Sequence, residues 1–480
     1  MQNEQPSGPE YSLPLGLRYN LSINDAVPSS KNLQQFLASN ASDYTDSSNN
    51  VIRIPVGSPA FLDLKNSLLQ FDFKNTSTGG TTVMQLDGGA DAIFRRIRLI
   101  ASNGDTIEEV REYGLLSTII DQYTSSTGRA RVDGVLKGAP SKLNDLPYFP
   151  SSGGGTNTVT NNGITITGGS AGAMTLSSIG GKGYDPDQSD RLNANVTRKY
   201  MCQLKLGMFN LATAKLLAPN TNFTMEIELN SAVNCTKCNA TNVSYQVNNV
   251  ELHCPAIVIN DSSFMQKMNA RMAQGLVFKC NSFQHYVNTT SSSAGVDVKQ
   301  ISARARSLKA LMSVFRIQTN VVAKNHFSLS KRSLEYIENY QYRIGSTNYP
   351  TDRVAVDIPD NADGSLVVLP ATDNLNISES YSQALRVMGN INMQSADILV
   401  DGNAFANSEA NNGVGIAAID LTSYSDNSVN SGIQTLDNMP ISFEFQKNSS
   451  LGSSTCQIDT FAIMEMSLVR SPDGVLQSFV

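Results

Sequence analysis

The sequence predicts an all-β protein with a few short helices, built as two jelly-roll β-sandwiches in tandem. Short runs of alternating apolar and polar residues recur along the 480 residues, which is the pattern of half-buried strands. The chain is well beyond the roughly 250–300 residues at which one hydrophobic core stops growing, so two similar domains are expected. A helical stretch interrupts the strands in each half, which favours a pair of sandwiches over a propeller or a single barrel.

We expect three parts along the chain. Residues 1–50 are polar and turn-rich, and we predict an arm that orders only against a partner. Residues 51–235 are predicted to form the first jelly roll and residues 242–480 the second. The boundary is placed between them, in a segment rich in turn residues.

The first jelly roll begins with three alternating segments, residues 52–56, 69–73 and 97–101, the last closed by an Asn103-Gly104 hairpin signal. Residues 108–123 change to a helical period and predict a short helix at one end of the sheets. Residues 124–195 then form a long glycine-rich loop containing a small Thr-Val-Thr and Ile-Thr-Ile hairpin pattern. Because a loop of this length is normally functional, we interpret it as a surface projection. Further strands are expected at residues 201–207 and 222–230.

The second jelly roll is predicted to repeat this arrangement. A short helical stretch runs through Phe264 and Met268, and a second helix is expected after Asn376, with Glu379 completing a capping box and Gly389 ending the helix. Strands are predicted at residues 243–259, 275–287, 298–305, 308–318, 336–344, 415–424, 439–446 and 457–470.

Composition excludes several classes of function. Only 16% of the residues are charged and the formal net charge is −6, so the folded body has no basic field with which to bind a nucleic-acid backbone. The first residues lack a basic patch and an apolar core, and no run of 18 apolar residues follows. We therefore expect a chain that is made in the cytosol or the nucleus.

Cysteine spacing offers one candidate metal site. Cys235 and Cys238 are separated by two residues, which is a ligand spacing, but a structural zinc ion needs four soft ligands and no second such pair is present. His253 and Cys254 lie near in sequence. The pair could be inert turn cysteines, a local disulfide or metal ligands, and we expect no metal and no other cofactor.

Catalysis is not expected. The chain has three histidines, no tryptophan and no Gly-x-Ser-x-Gly nucleophile motif. Gly180-Gly-Lys-Gly183 lacks the hydroxyl residue of a phosphate loop, and residues 185–196 lack the glycine and the glutamate that a calcium loop requires. The remaining enzyme hypothesis is a β-sandwich hydrolase that uses buried-looking acids such as Asp420 or Glu465.

Several blocks of sequence resemble one family. Residues 87–99 with the helical segment after them, residues 306–316, residues 339–350, and residues 419–423 with the final strand resemble the double jelly-roll major capsid proteins of polinton-like viruses and virophages. The resemblance covers most of the chain from about residue 51, as a pattern of blocks. It carries no catalytic residues, and it offers no explanation for the Cys235–Cys238 pair.

The resemblance implies a structural protein of a double-stranded DNA virus. Three copies would form a homotrimer with a pseudo-hexagonal outline, and these capsomers would tile an icosahedral shell together with penton and other minor capsid proteins. Residues 124–195 would project outward, residues 1–50 would clamp neighbours, and assembly would take place in the host cytoplasm or nucleus. Membrane contact is left open. The alternative function is a virion spike or a lectin-like receptor-binding protein.

Overall fold

The computed structural model describes most of the chain after residue 27. The described residues are 28–79, 84–138, 158–161, 164–167, 191–210, 216–238, 240–290, 295–321, 328–330, 332, 334, 337–356, 377–389, 400, 405, 414–423, 431–436, 439–447 and 455–480. Residues 1–27 of the predicted arm and most of the glycine-rich loop lie outside the described residues.

Strands dominate the described chain, and helices are few and short. The strands of the first half are β1 (Ser29–Leu37), β2 (Asp43–Tyr44), β3 (Val51–Val56), β4 (Phe61–Leu62), β5 (Leu68–Asn75), β6 (Met84–Leu86), β7 (Phe94–Ala101), β8 (Thr106–Arg111), β9 (Thr158–Asn161), β10 (Ile164–Thr167), β11 (Arg191–Leu192), β12 (Thr197–Cys202), β13 (Phe223–Leu229), β14 (Thr236–Cys238) and β15 (Tyr245–Ile259).

The second half continues in the same way. Its strands are β16 (Leu276–Thr289), β17 (Gly295–Ile301), β18 (Leu308–Ile317), β19 (Ile337–Ile344), β20 (Thr347–Ala355), β21 (Ala417–Asp420), β22 (Ile441–Lys447), β23 (Cys456–Arg470) and β24 (Leu476–Phe479). The helices are α1 (Tyr113–Thr124), α2 (Thr127–Lys137), α3 (Ala232–Cys235), α4 (Ser262–Met272), α5 (Gln318–Val321) and α6 (Ser378–Val387).

The first sandwich packs a sheet of order β1-β15-β5-β12, with β2 and β4 beside β15, against a sheet of order β3-β13-β7-β8. Strands β3 and β5 bury every second residue, because successive side chains of a strand point to opposite faces. Between the two sheets, the rings of Phe71 and Phe94 meet edge to face at 5.5 Å. The strands predicted at residues 52–56, 69–73 and 97–101 are therefore confirmed, as is the hairpin between β7 and β8.

The second sandwich repeats the arrangement with a sheet of order β16-β23-β18-β21, with β24 beside β23, and a sheet of order β17-β22-β19-β20. Phe315 of β18 meets Phe445 of β22 edge to face, with 5.3 Å between ring centroids. The Tyr342 hydroxyl crosses the core and donates to Ser313 Oγ at 2.9 Å. The predicted fold class, two β-sandwiches with a few short helices, is confirmed.

One strand lies on the other side of the expected boundary. We placed residues 243–259 at the start of the second jelly roll, but β15 pairs with β5 along one edge and with β1 along the other, both in the first sandwich. The alternation of a strand predicts its buried face and says nothing about its neighbour, so sequence alone could not assign it. The first sandwich therefore extends to Ile259.

Part of the arm also belongs to the first sandwich. β1 and β2 both pair with β15, so residues 29–37 and 43–44 are strands of this molecule. Our prediction that residues 1–50 order only against a partner is wrong for these residues. Residue 36 shows why, since Phe36 is 7% exposed and joins the hydrophobic core.

Two helix predictions need correction. Residues 106–111 form strand β8, and α1 begins only at Tyr113, because residue 112 adopts a left-handed conformation between them. Helix α2 was not predicted and occupies the first part of the glycine-rich loop, which also contains the expected hairpin of β9 and β10. Helix α6 is present, but its cap residue is Ile377, and Glu379 accepts a hydrogen bond from the backbone N–H of Ala355 where we expected a capping box.

None of the helices within the described ranges combines the length and the apolar character that crossing a membrane requires.

Candidate functional site

The two cysteines with ligand spacing, Cys235 and Cys238, are buried thiols in the first sandwich. Cys235 ends α3, and its Sγ donates to the Ser231 carbonyl oxygen at 3.2 Å. Cys238 ends β14, and its Sγ accepts from the backbone N–H of Ala240 at 3.4 Å. Across the described ranges, no group of three or more His, Cys, Asp or Glu side chains is arranged to hold a metal ion. The structure thus gives both cysteines hydrogen-bonded positions, Cys235 at the end of α3 and Cys238 in the small sheet of β11, β6 and β14.

The other candidate residues lie apart from one another. His253 Nε2 is 2.9 Å from Glu251 Oε2, while Cys254 next to it is buried in the core. Glu465 is buried and accepts from Ser307 Oγ at 3.3 Å, with Lys279 Nζ 3.6 Å from its other oxygen. Asp420 accepts from the backbone N–H of Thr422 at 3.0 Å, which closes its own turn. These contacts are structural.

His285 belongs to a buried ion cluster inside the second sandwich. Its Nε2 lies 2.9 Å from one oxygen of Asp459, and Arg316 Nη2 lies 2.7 Å from the other. Burial by itself raises the pKa of Asp459, but the Arg316 charge and the His285 hydrogen bond outweigh it and lower the pKa to about 2. Asp459 is therefore ionised at neutral pH, and the cluster is a fully paired structural element.

The most distinctive feature of the molecule is a polar junction between the two sandwiches, here called the interdomain seam. Buried carboxylates of the first sandwich accept hydrogen bonds from backbone and hydroxyl groups of the second. The residues that form the seam are Asp87, Glu108, Gln122, Tyr123, Gly207 and Thr221 on one side and Cys280, Ser282, Leu329, Ser330, Arg332, Val414 and Arg470 on the other.

Asp87 is the centre of the seam. It follows β6 and is 0% exposed, although a lone buried carboxylate would be strongly unfavourable. Its oxygens accept from the backbone N–H groups of Leu329 at 2.8 Å and Ser330 at 2.9 Å, and from Ser330 Oγ at 2.6 Å. Three donors from the second sandwich thus converge on one side chain of the first. Such an arrangement fixes the relative position of the two units, because hydrogen bonds to a charged group are short and directional.

Helix α1 extends the seam on the same side. Gln122 donates from Nε2 to the Ser330 carbonyl oxygen at 2.8 Å, and its Oε1 accepts from Arg332 Nη2 at 2.7 Å. The Tyr123 hydroxyl donates to the Val414 carbonyl oxygen at 2.9 Å. Burial lowers the pKa of Arg332 to about 10, so this guanidinium remains charged at neutral pH. Helix α1 therefore contacts both sandwiches through specific hydrogen bonds.

A second buried carboxylate lies farther along the seam. Glu108 of β8 accepts from the backbone N–H groups of Gly207 at 2.9 Å and Met208 at 3.4 Å, and from Ser282 Oγ of β16 at 3.1 Å. Burial raises the pKa of Glu108, and these hydrogen bonds offset only part of that rise. A Cβ atom at Gly207 would lie 2.5 Å from the carbonyl oxygen of Asn281, so only glycine permits this approach of the two sandwiches.

Arg470 makes the third contact of the seam. At the end of β23, it donates from Nε to Thr221 Oγ1 at 2.9 Å and from Nη2 to the Pro219 carbonyl oxygen at 3.3 Å. The side chain is 5% exposed, so its charge is solvated almost entirely by protein groups. Together with Asp87 and Glu108, it joins the two sandwiches at three separated points of the chain.

Outside the seam, the four-stranded sheet of the first sandwich presents a charged face. Glu226 bridges Arg53 at 3.0 Å and Arg98 at 2.6 Å, and Glu228 bridges Arg96 at 2.9 Å and Arg95 at 3.3 Å. Burial raises the pKa of Glu226, but hydrogen bonds from Arg98 and Arg53 outweigh it, so the net shift is downward. The pairs of Glu228 are more exposed and contribute little stability each, and their main effect is to keep the sheet face polar.

The second sandwich presents a small apolar patch, here called the valine patch, on the edge strand β17. Val296 and Val298 are two residues apart, so they point to the same face of the strand, and they are 59% and 47% exposed. Exposed apolar side chains on an edge strand are typical of surfaces that contact another protein.

A cavity of about 280 Å³ lies beside α1 and α2. Lys137, Asp121 and Lys205 of its lining belong to one cluster of charges. Lys137 Nζ lies 2.8 Å from Asp91 Oδ2, behind the lining, and also contacts Asp121, which contacts Lys205 as well. Burial lowers the pKa of Lys205 despite the carboxylates around it. Because each charged group of this cluster already has a partner, the arrangement is that of an internal brace.

Sequence reasoning missed the seam, because Asp87 and Glu108 accept hydrogen bonds from residues remote in sequence, such as Ser330 and Ser282. One signal was present: Asp87 precedes two glycines and opens the block of residues 87–99 that carries the family resemblance. The valine patch was missed for a different reason, since alternation identifies a strand but does not indicate which face stays exposed.

Comparisons with known proteins identify the fold. No protein-family model matches the sequence, and no curated protein matches it. Among solved structures, the chain is similar to PBCV-1 VP54 fitted into a reconstruction of the virophage Sputnik, with a TM-score of 0.58, 8% identity, and 96% of this chain and 98% of that chain covered. It is also similar to the Faustovirus major capsid protein, with a TM-score of 0.53, 10% identity, and 94% and 92% covered. For the mavirus major capsid protein the TM-score is 0.51 at 8% identity, with 100% and 96% covered. The chain has the double jelly-roll fold of viral major capsid proteins.

Proposed function

We propose that this chain is a major capsid protein, a structural subunit of the icosahedral shell of a double-stranded DNA virus. The observation that carries the proposal is the similarity in fold to major capsid proteins over nearly the whole of both chains. At these identities the likeness concerns the fold, so the function rests on the geometry described above as well.

The interdomain seam suits a shell subunit. A building block that repeats many times in a closed shell has to keep one shape, because a change in the angle between its two halves would change the curvature. Buried hydrogen bonds at Asp87, Glu108 and Arg470 hold the two sandwiches in one orientation. Asp87 and Glu108 are engaged in these contacts, and Asp459 is held in a paired ion cluster within the second sandwich, so we propose a structural and not a catalytic role.

We propose further that three copies associate into a pseudo-hexagonal capsomer, and that the valine patch takes part in contacts between copies. Two similar sandwiches per chain give six around a three-fold axis, which approximates a hexagon and can tile a surface. In the virion these capsomers would contact each other, penton proteins and other minor capsid proteins. Assembly would occur in the host cytoplasm or nucleus.

The test is the oligomeric state of the purified full-length chain. Light scattering coupled to size-exclusion chromatography should give three times the chain mass, and negative-stain images should show particles with hexagonal outlines. Val296→Asp with Val298→Asp should lower the trimer fraction at least ten-fold, whereas Val135→Asp, at a 78% exposed position on α2, should not. A chain that stays monomeric at every concentration would refute the proposal. A discrete oligomer that retains a soluble ligand would favour a spike or lectin-like protein instead.

A further inference from the structure

Helix α4, which connects the two sandwiches, has an apolar stripe without a described partner. Its eleven residues include none that is buried against the described part of the chain. With 100° between successive residues, Phe264, Met265, Met268 and Met272 fall within about 100° of one another, on one face of the helix. Phe264 is 37% exposed. An apolar stripe of this width normally packs against another element.

The helix is well formed despite the absence of burial. Asp261 precedes it, and its Oδ1 accepts from the backbone N–H groups of Ser263 at 2.8 Å and Phe264 at 3.0 Å. This cap satisfies donors that an isolated helix leaves open. A capped helix of 11 residues is nevertheless marginal by itself in water, so its stripe is expected to have an occupant.

The occupant that the chain itself offers is its N-terminal segment. Residues 1–50 are polar as a whole, but residues 11–23 have an apolar residue at every odd position. Their sequence is Tyr-Ser-Leu-Pro-Leu-Gly-Leu-Arg-Tyr-Asn-Leu-Ser-Ile. If extended, this segment would have one face that is entirely apolar, because strand side chains alternate between faces. The described structure begins at residue 28, so these residues lie outside it.

The point at which the segment joins the fold is next to the helix. The backbone N–H of Asn260 donates to the carbonyl oxygen of Pro28 at 2.8 Å, and Ser29 pairs with Ile259. Asn260 directly precedes the cap residue Asp261, so the N-terminal segment leaves the sandwich at the start of α4. Four residues, 24–27, separate this segment from Pro28, and four residues span at most about 14 Å. So short a linker gives an effective concentration on the order of millimolar at the stripe.

We propose that residues 11–23 lie across the apolar stripe of α4 in the same subunit. From Phe264 to Met272 the stripe is about 12 Å long at 1.5 Å per residue, and four to five extended residues of about 3.3 Å each cover it. A second copy of the chain is a poorer occupant. Four partly exposed side chains offer a few hundred Å² at most, whereas a specific interface needs about 800 Å² from each partner.

Paired cysteines test the contact. Leu17→Cys is combined with Met268→Cys on the stripe or, as the matched control, with Ala270→Cys on the opposite face of the same helix. A short bismaleimide should crosslink the Met268 pair within one chain at least five-fold more efficiently than the Ala270 pair, as read by electrophoresis and by mass spectrometry of the linked peptides. Equal yields for the two pairs, or a product of twice the chain mass, would overturn the proposal.

Proteolysis supplies an independent measurement. Arg18 is the one trypsin site within residues 11–23. Cleavage after Arg18 in the full-length chain should become at least ten-fold faster when Phe264 and Met268 are both replaced by Ser, and should not change when Gln266 and Ala270 are replaced by Ser. None of these four side chains is buried, so each variant is expected to fold. An unchanged rate in the stripe variant would contradict the proposal, whatever the oligomeric state proves to be.

Discussion

Replacement of Asp87 by alanine tests whether the interdomain seam fixes the two sandwiches together. The substitution leaves the backbone N–H groups of Leu329 and Ser330 and the Ser330 hydroxyl without their shared acceptor. Each buried donor that loses its partner costs about 1–3 kcal/mol. The hydroxyl can rotate toward another acceptor, so the two amides dominate, and we expect the second sandwich to lose about 4 kcal/mol.

Scanning calorimetry measures this loss directly. For a unit of about 200 residues, 1 kcal/mol corresponds to about 2–4 °C in Tm, so Asp87→Ala should lower the Tm by about 10 °C. The Asn variant should fall between the wild type and Ala, since its amide keeps one acceptor oxygen. Asp352→Ala, at an exposed position of β20, is the matched control and should change the Tm by less than about 2 °C. If Asp87→Ala and Asp352→Ala had the same effect, the seam would not be what holds the sandwiches together.

Three further outcomes follow from the buried groups. Asp459→Asn leaves the Arg316 charge without its partner and should lower the free energy of unfolding, measured with denaturant at pH 7, by about 3–5 kcal/mol. Because the folded pKa of Asp459 is lowered to about 2, its stabilisation is complete above the unfolded pKa of about 3.9 and should be lost as the pH falls toward 2. A wild-type Tm that stayed level over that range would refute this. The pKa of Glu108 is raised in the folded protein, so its contribution to stability is greatest below the unfolded pKa of about 4.3 and declines as the pH rises through the folded pKa. Glu108→Gln should therefore melt at a higher temperature than the wild type at pH 8 but not at pH 4. A difference in Tm that did not depend on pH would contradict the raised pKa of Glu108. Gly207→Ala should destabilise the protein by about 1–3 kcal/mol, because its Cβ would lie 2.5 Å from the Asn281 carbonyl oxygen, and a normal melting curve would show that the sandwiches can move apart without cost.

The strands could be predicted from the sequence because their physical signal is local. Alternation of apolar and polar residues locates β3, β5 and β7 within one to three residues, and the Asn103-Gly104 turn locates the hairpin. The assignment of β15 failed, because a strand's partner depends on contacts between segments remote in sequence. It lies between β5 and β1 in the sheet, although both of those strands precede it by a long stretch of chain.

The seam could not be predicted for a related reason. In sequence, Asp87 and Glu108 have the character of exposed carboxylates, and their burial depends on donors supplied by Ser330 and Ser282 in the other half of the chain. Only the assembled pair of sandwiches supplies hydrogen-bond donors to these buried carboxyl groups. Cys235 and Cys238 were noticed for their spacing, yet the structure explains them locally, through hydrogen bonds within α3 and its neighbouring strand.

The pairing of β1 with β15 has a consequence for biosynthesis. The ribosome makes Leu37, the end of β1, 259 − 37 = 222 residues before Ile259, the end of β15. At about 5–20 residues per second, the nascent chain waits roughly 10–45 s before its earliest described strand can find its neighbour. During that interval β5 and β1 present unpaired backbone to the crowded cytosol. Chaperone demand should therefore be highest before Ile259 has been synthesised, while the first sandwich is still incomplete.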